Sequence, residues 1–271
     1  MTAPDKTPGR VLIIAGSDSG GGAGIQADIK AVTMLGGYAM TAITAITAQD
    51  TTGVHGVWPV ATDAVTAQMR ACLMDIGADA IKTGMLGEAA LVEQVAETLD
   101  ALAADTDRII DPVMVATSGD RLVDEKAVSA IASLLVPGAR LVTPNAPEAE
   151  VLTGKAVESV DDQRRAAEAL LERGAKGALV KGGHISGAII CDVLQTEHGE
   201  WLFESPRIET RSTHGTGCTL ASACAALIAK GQALSDAVDA ARTYLHQAIA
   251  QASKLGHGHG PVAHNWALKQ D

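Results

Sequence analysis

The sequence predicts a three-layer α/β/α fold with a mostly parallel central sheet and helices on both of its faces. Short β-branched runs alternate with longer segments of 3.6-residue periodicity, which is the pattern of βαβ units around a parallel sheet. Apolar residues make up 47% of the 271 residues but aromatic residues only 2%, a composition that favours close packing of helices on a sheet. One hydrophobic core can serve a chain of this length, so we expect a single domain over residues 1–271, with residues 1–9 flexible.

Each predicted strand is a short apolar run that ends at a polar or glycine-rich segment. The predicted strands are Val11–Ala15, Met40–Thr47, Ala80–Thr83, Arg108–Asp111, Leu141–Thr143 and Ala178–Lys181. The clearest predicted helices are Ile25–Leu35, Glu88–Leu102, Lys126–Leu135, Asp161–Arg173, Thr219–Lys230 and Ser235–Lys254. Two further runs, Ile189–Gln195 and Glu200–Phe203, are joined by a turn and indicate an antiparallel hairpin at one edge of the sheet.

Charge and hydropathy argue against several classes of partner. Lys and Arg number 21 and Asp and Glu 32, a net charge of -11 that repels nucleic acid and anionic lipid. The four cysteines have neither metal-binding nor disulfide spacing. The apolar run Val11–Ala15 is too short for a signal peptide, and the longest apolar stretch, Leu220–Ala229, is half a membrane span. We therefore expect a cytoplasmic protein with a small-molecule substrate and neither nucleic-acid nor membrane partners.

A glycine-rich loop, Gly16–Gly24, follows the first predicted strand and leads into a helix. Such a loop can pass close beneath a ligand and direct its backbone amides at that ligand. Gly22, Gly24 and Ala27 also satisfy a loose dinucleotide fingerprint, so NAD binding is one alternative and a flexible turn without a ligand is another. No P-loop string occurs, since the nearest segment, Thr153–Ala156, lacks the first glycine and the hydroxyl.

The segment Ser212–Cys218 leads into the long apolar helix. Gly215 and Gly217 allow successive amides to converge at the helix N-terminus, where the helix dipole favours an anion. This arrangement predicts an anion hole for a transferring phosphoryl group. The pKa of the Cys218 thiol is expected to be lowered there, so that it can take a hydroxyl proton. The alternative is an ordinary helix start capped by Thr216, with Cys218 as a small buried residue.

Polar residues also follow other strands, at the sheet edge where ligands of open α/β sheets bind. Asn145 and Glu148 are three residues apart at a helix start, so their oxygens can hold Mg²⁺, although they equally suit a capping pair. Lys181 precedes two glycines and suits a phosphate, or is a solvated charge. Asp111 ends a further strand, and Gln49 can bind a polar ring edge or be an exposed loop amide.

The chain resembles the hydroxymethylpyrimidine and phosphomethylpyrimidine kinases of thiamine biosynthesis, within the ribokinase-like superfamily. The resemblance rests on an ordered set of motifs: Ala15–Asp18, Gly21–Asp28, Lys82–Leu86, Thr143–Asn145, Lys181–His184 and His214–Cys218. It extends from Val11 to His264. It implies a ribokinase-like fold, a homodimer, and Mg²⁺-dependent transfer of phosphoryl groups from ATP. The acceptors would be 4-amino-5-hydroxymethyl-2-methylpyrimidine and then its monophosphate, which becomes the diphosphate.

The resemblance also implies a role for each matching residue. The substrate-binding residues would be Gly16, Asp18, Ala23, Gln49, Met85 and Val113. Among them, Gln49 would bind the aminopyrimidine edge, while Met85 and Val113 would pack on the faces of the ring. ATP would be bound by Asn145, Lys181, Thr213 and Gly215, and Mg²⁺ by Asp111 and Glu148. The catalytic residues would be Cys218, Lys181, Gly215, Thr216 and Gly217.

Two other functions fit the same motifs. The first is a related kinase acting on pyridoxal or pyridoxine, which ADP release measured with each ring alcohol would distinguish. The second is a catalytically silent nucleotide-binding protein on the same fold. The complete set of Lys181, Glu148 and Gly215–Cys218 argues against that second alternative.

Overall fold

The computed structural model describes residues 7–115 and 123–269. Residues 1–6, which belong to the segment predicted to be flexible, lie outside the described residues. Gly9, by contrast, is buried, and its carbonyl oxygen accepts a hydrogen bond from Tyr38 N at 2.9 Å. A Cβ at Gly9 would lie 2.8 Å from the backbone carbon of Ala229, so the chain is closely packed from this point.

The described residues form nine strands and eight α-helices. The strands are β1 (Arg10–Asp18), β2 (Tyr38–Gln49), β3 (Val54–Pro59), β4 (Ala80–Thr83), β5 (Asp107–Ile110), β6 (Leu141–Val142), β7 (Gly177–Val180), β8 (Ile189–Thr196) and β9 (Gly199–Pro206). The helices are α1 (Gly24–Met34), α2 (Thr62–Asp75), α3 (Ala89–Leu102), α4 (Glu125–Ala130), α5 (Ala146–Thr153), α6 (Val160–Glu172), α7 (Thr216–Ala229) and α8 (Leu234–Ala250). A π-helical turn, Ile131–Leu135, continues α4, and a 3₁₀ turn, Trp266–Lys269, follows α8.

The nine strands belong to one sheet, in the order β3-β2-β1-β4-β5-β6-β7-β8-β9. All neighbours from β2 to β7 are parallel, whereas β8 and β9 form the predicted antiparallel hairpin at one edge. Together with helices on both faces, this order confirms the predicted fold class. The strand β3, antiparallel to β2 at the other edge, was not predicted from the sequence.

Alternate residues of the central strands pack into two separate cores. Leu12 and Ile14 of β1 point to a core that contains buried residues of α2, α3, α4, α5 and α6. Val11, Ile13 and Ala15 point to the opposite core, which contains buried residues of α1, α7 and α8. A parallel sheet covered on both faces needs apolar side chains on both, so its strands are continuous apolar runs.

The sequence analysis gave no bounds for two helices, α2 and α5, because their apolar patterns are weak. Helix α2 buries only Val65 and Met69 among the side chains of its 14 residues, too few for a clear stripe. Helix α5 is only 8 residues long and begins at the capping pair Asn145 and Glu148. Within residues 7–115 and 123–269, no helix combines the length and apolar character needed to cross a membrane.

The sheet order determines where a ligand can bind. Strand β1 lies between β2 and β4, so the chain leaves β1 on one side and later returns on the other. Connections therefore diverge at the carboxyl ends of β1 and β4 and leave a crevice between them. Asp18 ends β1 and Thr83 ends β4, which places the glycine-rich loop and Gly84 at this crevice.

Candidate active site

A cavity of about 710 Å³ opens at the carboxyl ends of the parallel strands. Its walls include every residue that the sequence assigns to the site: Gly16, Asp18, Ala23, Gln49, Met85, Asp111, Val113, Asn145, Glu148, Lys181, Thr213, Gly215, Thr216, Gly217 and Cys218. The sequence motifs therefore converge on one space. The contacts of each residue decide what it can do there.

The loop between β1 and α1 is folded around the carboxylate of Asp18. Asp18 Oδ1 accepts a hydrogen bond from Gly20 N at 2.8 Å, and Oδ2 accepts from Gly22 N at 3.0 Å and Ala23 N at 2.7 Å. Burial opposes ionisation, but hydrogen bonds from His214 and these amides outweigh it and lower the pKa of Asp18. The expectation that the loop directs its amides at a ligand is therefore wrong for these three amides, because Asp18 already accepts their hydrogen bonds.

His214 joins the glycine-rich loop to the segment before α7. His214 Nε2 lies 2.9 Å from Asp18 Oδ2, and a Cβ at Gly22 would overlap the imidazole ring. The backbone N–H of His214 donates to Gly260 O at 3.1 Å, which adds the C-terminal segment to the same cluster. Gln49 Nε2 lies 3.5 Å from His214 Nε2, so the predicted ring-binding amide is next to this histidine. The sequence analysis assigned no role to His214.

Met85 and Gly16 form part of the cavity wall near the end of β1. A Cβ at Gly16 would lie 2.5 Å from Met85 Cε, so only glycine leaves room for this methionine. Thr44 Oγ1 donates a hydrogen bond to Met85 O at 2.7 Å and fixes the backbone there. Val113, the other predicted ring contact, follows Asp111, and its N–H donates to Asp111 O at 2.8 Å. Met85 and Val113, together with Gly16, thus supply an apolar part of the cavity wall.

Helix α7 begins with Gly215 in the left-handed conformation, at φ 80°. A Cβ at Gly215 would overlap the carbonyl oxygen of Gly22, so only glycine allows this contact between the two loops. The helix begins at Thr216, and its N-cap is Gly215, so the alternative of a Thr216 cap is wrong. The first N–H groups of a helix have no acceptor within the helix. A Cβ at Gly217 would lie 3.4 Å from Lys181 Nζ, so the ammonium lies directly beside this turn.

Burial raises the pKa of the Cys218 thiol to about 12. The charge of Lys82 and a hydrogen bond from the Gly24 N–H act in the opposite direction but are outweighed. The expected lowering of this pKa is therefore wrong, because removing a thiolate from water costs more than the nearby positive groups return. Cys218 nevertheless lines the cavity and is only partly buried, so a bound ligand would contact it.

Asp111 lies between Lys181, which is partly buried, and Lys82, which is fully buried. Lys181 Nζ is 3.3 Å from Asp111 Oδ1, and Lys82 Nζ is 3.9 Å from Asp111 Oδ2. Thr143 Oγ1 also donates a hydrogen bond to Asp111 Oδ1, at 3.1 Å. Asp111 Oδ2 is buried and accepts no hydrogen bond from the residues that the structure describes. A buried acceptor without a donor is costly, which points to a ligand or ion as its partner.

Asn145 and Glu148 form a capping box at the start of α5. Glu148 N donates to Asn145 Oδ1 at 2.9 Å, and Asn145 N donates to Glu148 Oε2 at 2.8 Å. The capping alternative is therefore confirmed, and Asn145 Oδ1 is already engaged. Burial raises the pKa of Glu148 to about 7; Lys181 opposes this effect and Asp111 adds to it. Glu148 Oε2 lies 4.0 Å from Lys181 Nζ.

Lys82 is a fully buried cation in β4 to which the sequence analysis assigned no role. Its Nζ donates to Asp28 Oδ1 at 2.9 Å and Oδ2 at 3.1 Å, and Ser222 Oγ donates to Asp28 Oδ1 at 2.7 Å. Burial alone would lower the pKa of Lys82, but Asp28 and the other nearby anions raise it above the ordinary value. A lysine inside a short strand that follows the apolar residues Ala80 and Ile81 was the sequence signal that could have identified it.

The cavity walls also include residues of the β8–β9 hairpin and of α8, and we call the part that these residues line the second lobe. Its walls include the apolar or ring-bearing residues Ile190, Pro206, Ile208, Leu245, His246 and Ile249. Arg207 lines the same lobe and donates hydrogen bonds to the carbonyl oxygens of Gly183 and Gly187, at 3.0 and 2.7 Å. The sequence analysis predicted the hairpin but no ligand contacts for it, because nothing in its pattern shows which side faces the cavity.

The chain is similar to known proteins over nearly its whole length. Residues 18–263 match the family model described as phosphomethylpyrimidine kinase. A hydroxymethylpyrimidine/phosphomethylpyrimidine kinase of Streptomyces coelicolor is 48% identical over 270 residues, which are 99% of this chain and 99% of that protein. A thiamine biosynthesis bifunctional protein of Geobacter sulfurreducens is 47% identical over 262 residues, 94% of this chain and 52% of that protein. The solved ADP complex of Bacillus subtilis pyridoxal kinase is 37% identical, with a TM-score of 0.89, covering 97% of this chain and 99% of that one.

Proposed function

Because this chain belongs to the phosphomethylpyrimidine kinase family, we propose that its cavity is divided between a pyrimidine acceptor and ATP. The chain is a kinase of thiamine biosynthesis that phosphorylates 4-amino-5-hydroxymethyl-2-methylpyrimidine and then its monophosphate. One observation supports the position of the reaction centre above all others. The Lys181 ammonium lies beside Gly217 at the N-terminus of α7, and also contacts Asp111.

The pyrimidine ring occupies the part of the cavity next to β1 and the glycine-rich loop. Met85 and Val113 supply the apolar contacts to the ring, and Gly16 and Ala23 allow its close approach. Gln49 offers both a donor and an acceptor to the aminopyrimidine edge. Asp18 acts indirectly in this proposal, since its carboxylate holds the loop amides and His214.

ATP extends from the N-terminus of α7 towards the second lobe. The amides of Gly215–Cys218 and the ammonium of Lys181 face the terminal phosphates, where fixed donors stabilise the charge of the transition state. Thr213 and Asn145 line the same part of the cavity. The apolar second lobe suits the adenine ring, because a flat base needs apolar contact on its faces.

Asp111 and Glu148 fit a magnesium ion. Asp111 Oδ2 is buried without a hydrogen-bond donor among the described residues, and carboxylate oxygens are preferred ligands of Mg²⁺. An ion held there would neutralise charge on the ATP phosphates. Lys181, which contacts both carboxylates, would share that task from the protein side.

In the first transfer, the hydroxymethyl oxygen of the pyrimidine bonds to the γ-phosphorus while the bond to the leaving ADP breaks. A loose transition state of this kind depends mainly on positioning and charge neutralisation. We assign the departing hydroxyl proton to Cys218, which lines the cavity in the first turn of α7. The thiolate is scarce near neutral pH because burial raises the pKa of the thiol. The positive charge of Lys82 acts in the opposite direction and favours the thiolate form.

Product analysis after incubation with ATP, Mg²⁺ and the hydroxymethylpyrimidine tests this function. We expect the monophosphate first and the diphosphate later, with one ADP released for each phosphoryl group transferred. A parallel incubation with pyridoxal tests the alternative suggested by the pyridoxal kinase of similar fold. ADP release with pyridoxal alone would replace the proposed substrate, and binding of ATP without turnover on any ring alcohol would support a silent protein.

Replacing Lys181 by alanine is expected to lower kcat/KM for ATP by about tenfold to a hundredfold, because a charged hydrogen bond to phosphate is lost. The dissociation constant of the pyrimidine, measured by calorimetry, should change less than about threefold. Lys155→Ala, at an exposed site just after α5, is the matched control. An unchanged kcat/KM for ATP in Lys181→Ala would contradict the proposed phosphate contact.

Three features of the chain remain predictions. They are a single domain over residues 1–271, a cytoplasmic location, and a homodimer as the resemblance implies. An exposed apolar pair supports the last of these, since Ile46 of β2 and Trp58 of β3 are partners in register and are more than half exposed.

A further inference from the structure

Lys82 has hydrogen-bonding capacity that its protein partners do not use. An ammonium group carries three N–H donors, and both hydrogen bonds that the described residues accept from Lys82 Nζ go to Asp28. Its other neighbouring anion, Asp111 Oδ2, lies at 3.9 Å, too far for a hydrogen bond. The side chain is fully buried in the protein, yet it lines the cavity. We therefore expect the remaining N–H group of the Lys82 ammonium to donate a hydrogen bond to a ligand.

Gly84 lies directly against the Lys82 ammonium at the cavity wall. A Cβ at Gly84 would lie 3.1 Å from Lys82 Nζ and 2.9 Å from the Cβ of Ala15, both tighter than ordinary contact. Ala15, Lys82 and Gly84 all line the cavity beside the ring-binding residues. Lys82 is also the charge that most lowers the pKa of the Cys218 thiol, which places its ammonium near the reacting hydroxyl.

The second acceptor differs from the first by a phosphate group of charge between -1.5 and -2 at neutral pH, roughly that of a phosphoserine. Burying such a charge in a cavity requires a fixed positive partner. The glycine-rich loop cannot supply one from Gly20, Gly22 and Ala23, because Asp18 accepts their N–H groups. The acceptor half of the cavity therefore depends on a side-chain cation.

The other described cations that line the cavity have different positions and partners. Lys181 lies between Asp111 and Glu148 on the ATP side. Arg207 and Arg242 lie beside the second lobe, where Arg207 binds loop carbonyls and Arg242 pairs with Asp192 at 2.6 Å. Among the described lysines and arginines that line the cavity, Lys82 is therefore the one next to the ring-binding residues.

We propose that Lys82 binds the phosphate of the monophosphate substrate and so makes the second phosphorylation possible. This inference rests on the proposed function and adds a specificity-determining residue to it. In the second transfer a phosphate oxygen of the acceptor bonds to the γ-phosphorus of ATP, the bond to the leaving ADP oxygen breaks, and the products are the pyrimidine diphosphate and ADP. The attacking oxygen already carries negative charge, so no proton has to be removed.

A set of three variants separates this role from simple structural support. Lys82→Met combined with Asp28→Asn removes both buried charges and so avoids an unpaired buried carboxylate. Asp28→Asn alone removes the paired carboxylate but keeps the lysine, whose charged form the nearby Asp111 still favours. Gly84→Ala retains the pair and crowds the ammonium at the cavity wall. For each variant, kcat/KM is measured with the alcohol and with the monophosphate, and calorimetry gives both dissociation constants without ATP.

We expect the double variant to lower the ratio of kcat/KM for the monophosphate to that for the alcohol by roughly tenfold to a hundredfold. Gly84→Ala should lower the same ratio, whereas Asp28→Asn should leave it unchanged or raise it. A constant ratio in both the double variant and Gly84→Ala would overturn the proposal, as would an equal fall in Asp28→Asn. A wild-type protein that phosphorylates neither pyrimidine would instead contradict the proposed function.

Discussion

Replacement of Cys218 by alanine is expected to lower kcat of the first phosphorylation at least about a hundredfold, the usual effect of removing a positioned proton acceptor. The second phosphorylation should fall much less, because a phosphate oxygen of the monophosphate is ionised near neutral pH and needs no base. A residue that only filled space beside the phosphates would affect both steps alike. The comparison of the two steps therefore isolates the chemical role of the thiol.

The pH dependence of the same variant provides a second measurement. Burial raises the pKa of Cys218 to about 12, so the thiolate fraction should increase about tenfold for each pH unit below that value. The first-step kcat of the wild type should therefore rise with pH through the neutral range, and Cys218→Ala should lose this rise. Cys224→Ala is the matched control, since Cys224 lies buried on the same helix, away from the cavity. Near-normal turnover in Cys218→Ala would leave Cys218 only a packing role.

Replacement of Gly215 by alanine is expected to reduce kcat of both phosphorylations by about a hundredfold to a thousandfold, the loss found when a transition-state donor is removed. Its Cβ would overlap the Gly22 carbonyl oxygen, so α7 and the glycine-rich loop would have to separate. That separation would move the first-turn amides away from the terminal phosphate. Steady-state kinetics with each pyrimidine would measure the loss.

Gly231→Ala is the control for the strain that a side chain introduces at a residue in the left-handed backbone conformation. Gly231 follows the same helix α7 and has φ 82°, against φ 80° at Gly215, but a Cβ there would have no atom within 4 Å. Both variants carry the left-handed strain of about 1 kcal/mol, which thermal unfolding would detect. Only Gly215→Ala should also lose activity. Equal kinetic losses in the two variants would show that the contact with Gly22 is not important for catalysis.

The residues that line the cavity could be predicted because their positions follow from the direction of the parallel strands. Residues just after parallel strands lie at one edge whatever their side chains do, so Asp111, Asn145 and Lys181 had to lie near one another. The proposed anion hole rests on the position of Gly215 directly before an apolar helix and of Gly217 in its first turn. Both inferences need only the order of elements along the chain.

The contacts within the cavity could not be predicted in the same way. Asn145 and Glu148 satisfied two patterns, a magnesium site and a capping box, and only the structure showed that the cap is formed. The strand β3 was missed, and helix α2 was given no bounds, because most of their side chains are exposed and give little periodic signal. The apolar second lobe was missed because it combines residues of β9 with residues of α8.

By itself, the sequence determined the fold class, the family and the place of the proposed anion hole, because these depend on local periodicity and on motifs of a few residues. Only the tertiary structure decided that the pKa of Cys218 rises, that Asp18 occupies the loop amides, and that Lys82 is paired with Asp28. A pKa and a hydrogen bond depend on burial and on partners that are distant in the chain. Lys82 and Asp28 are separated by 54 residues, and Asp18 and His214 by 196.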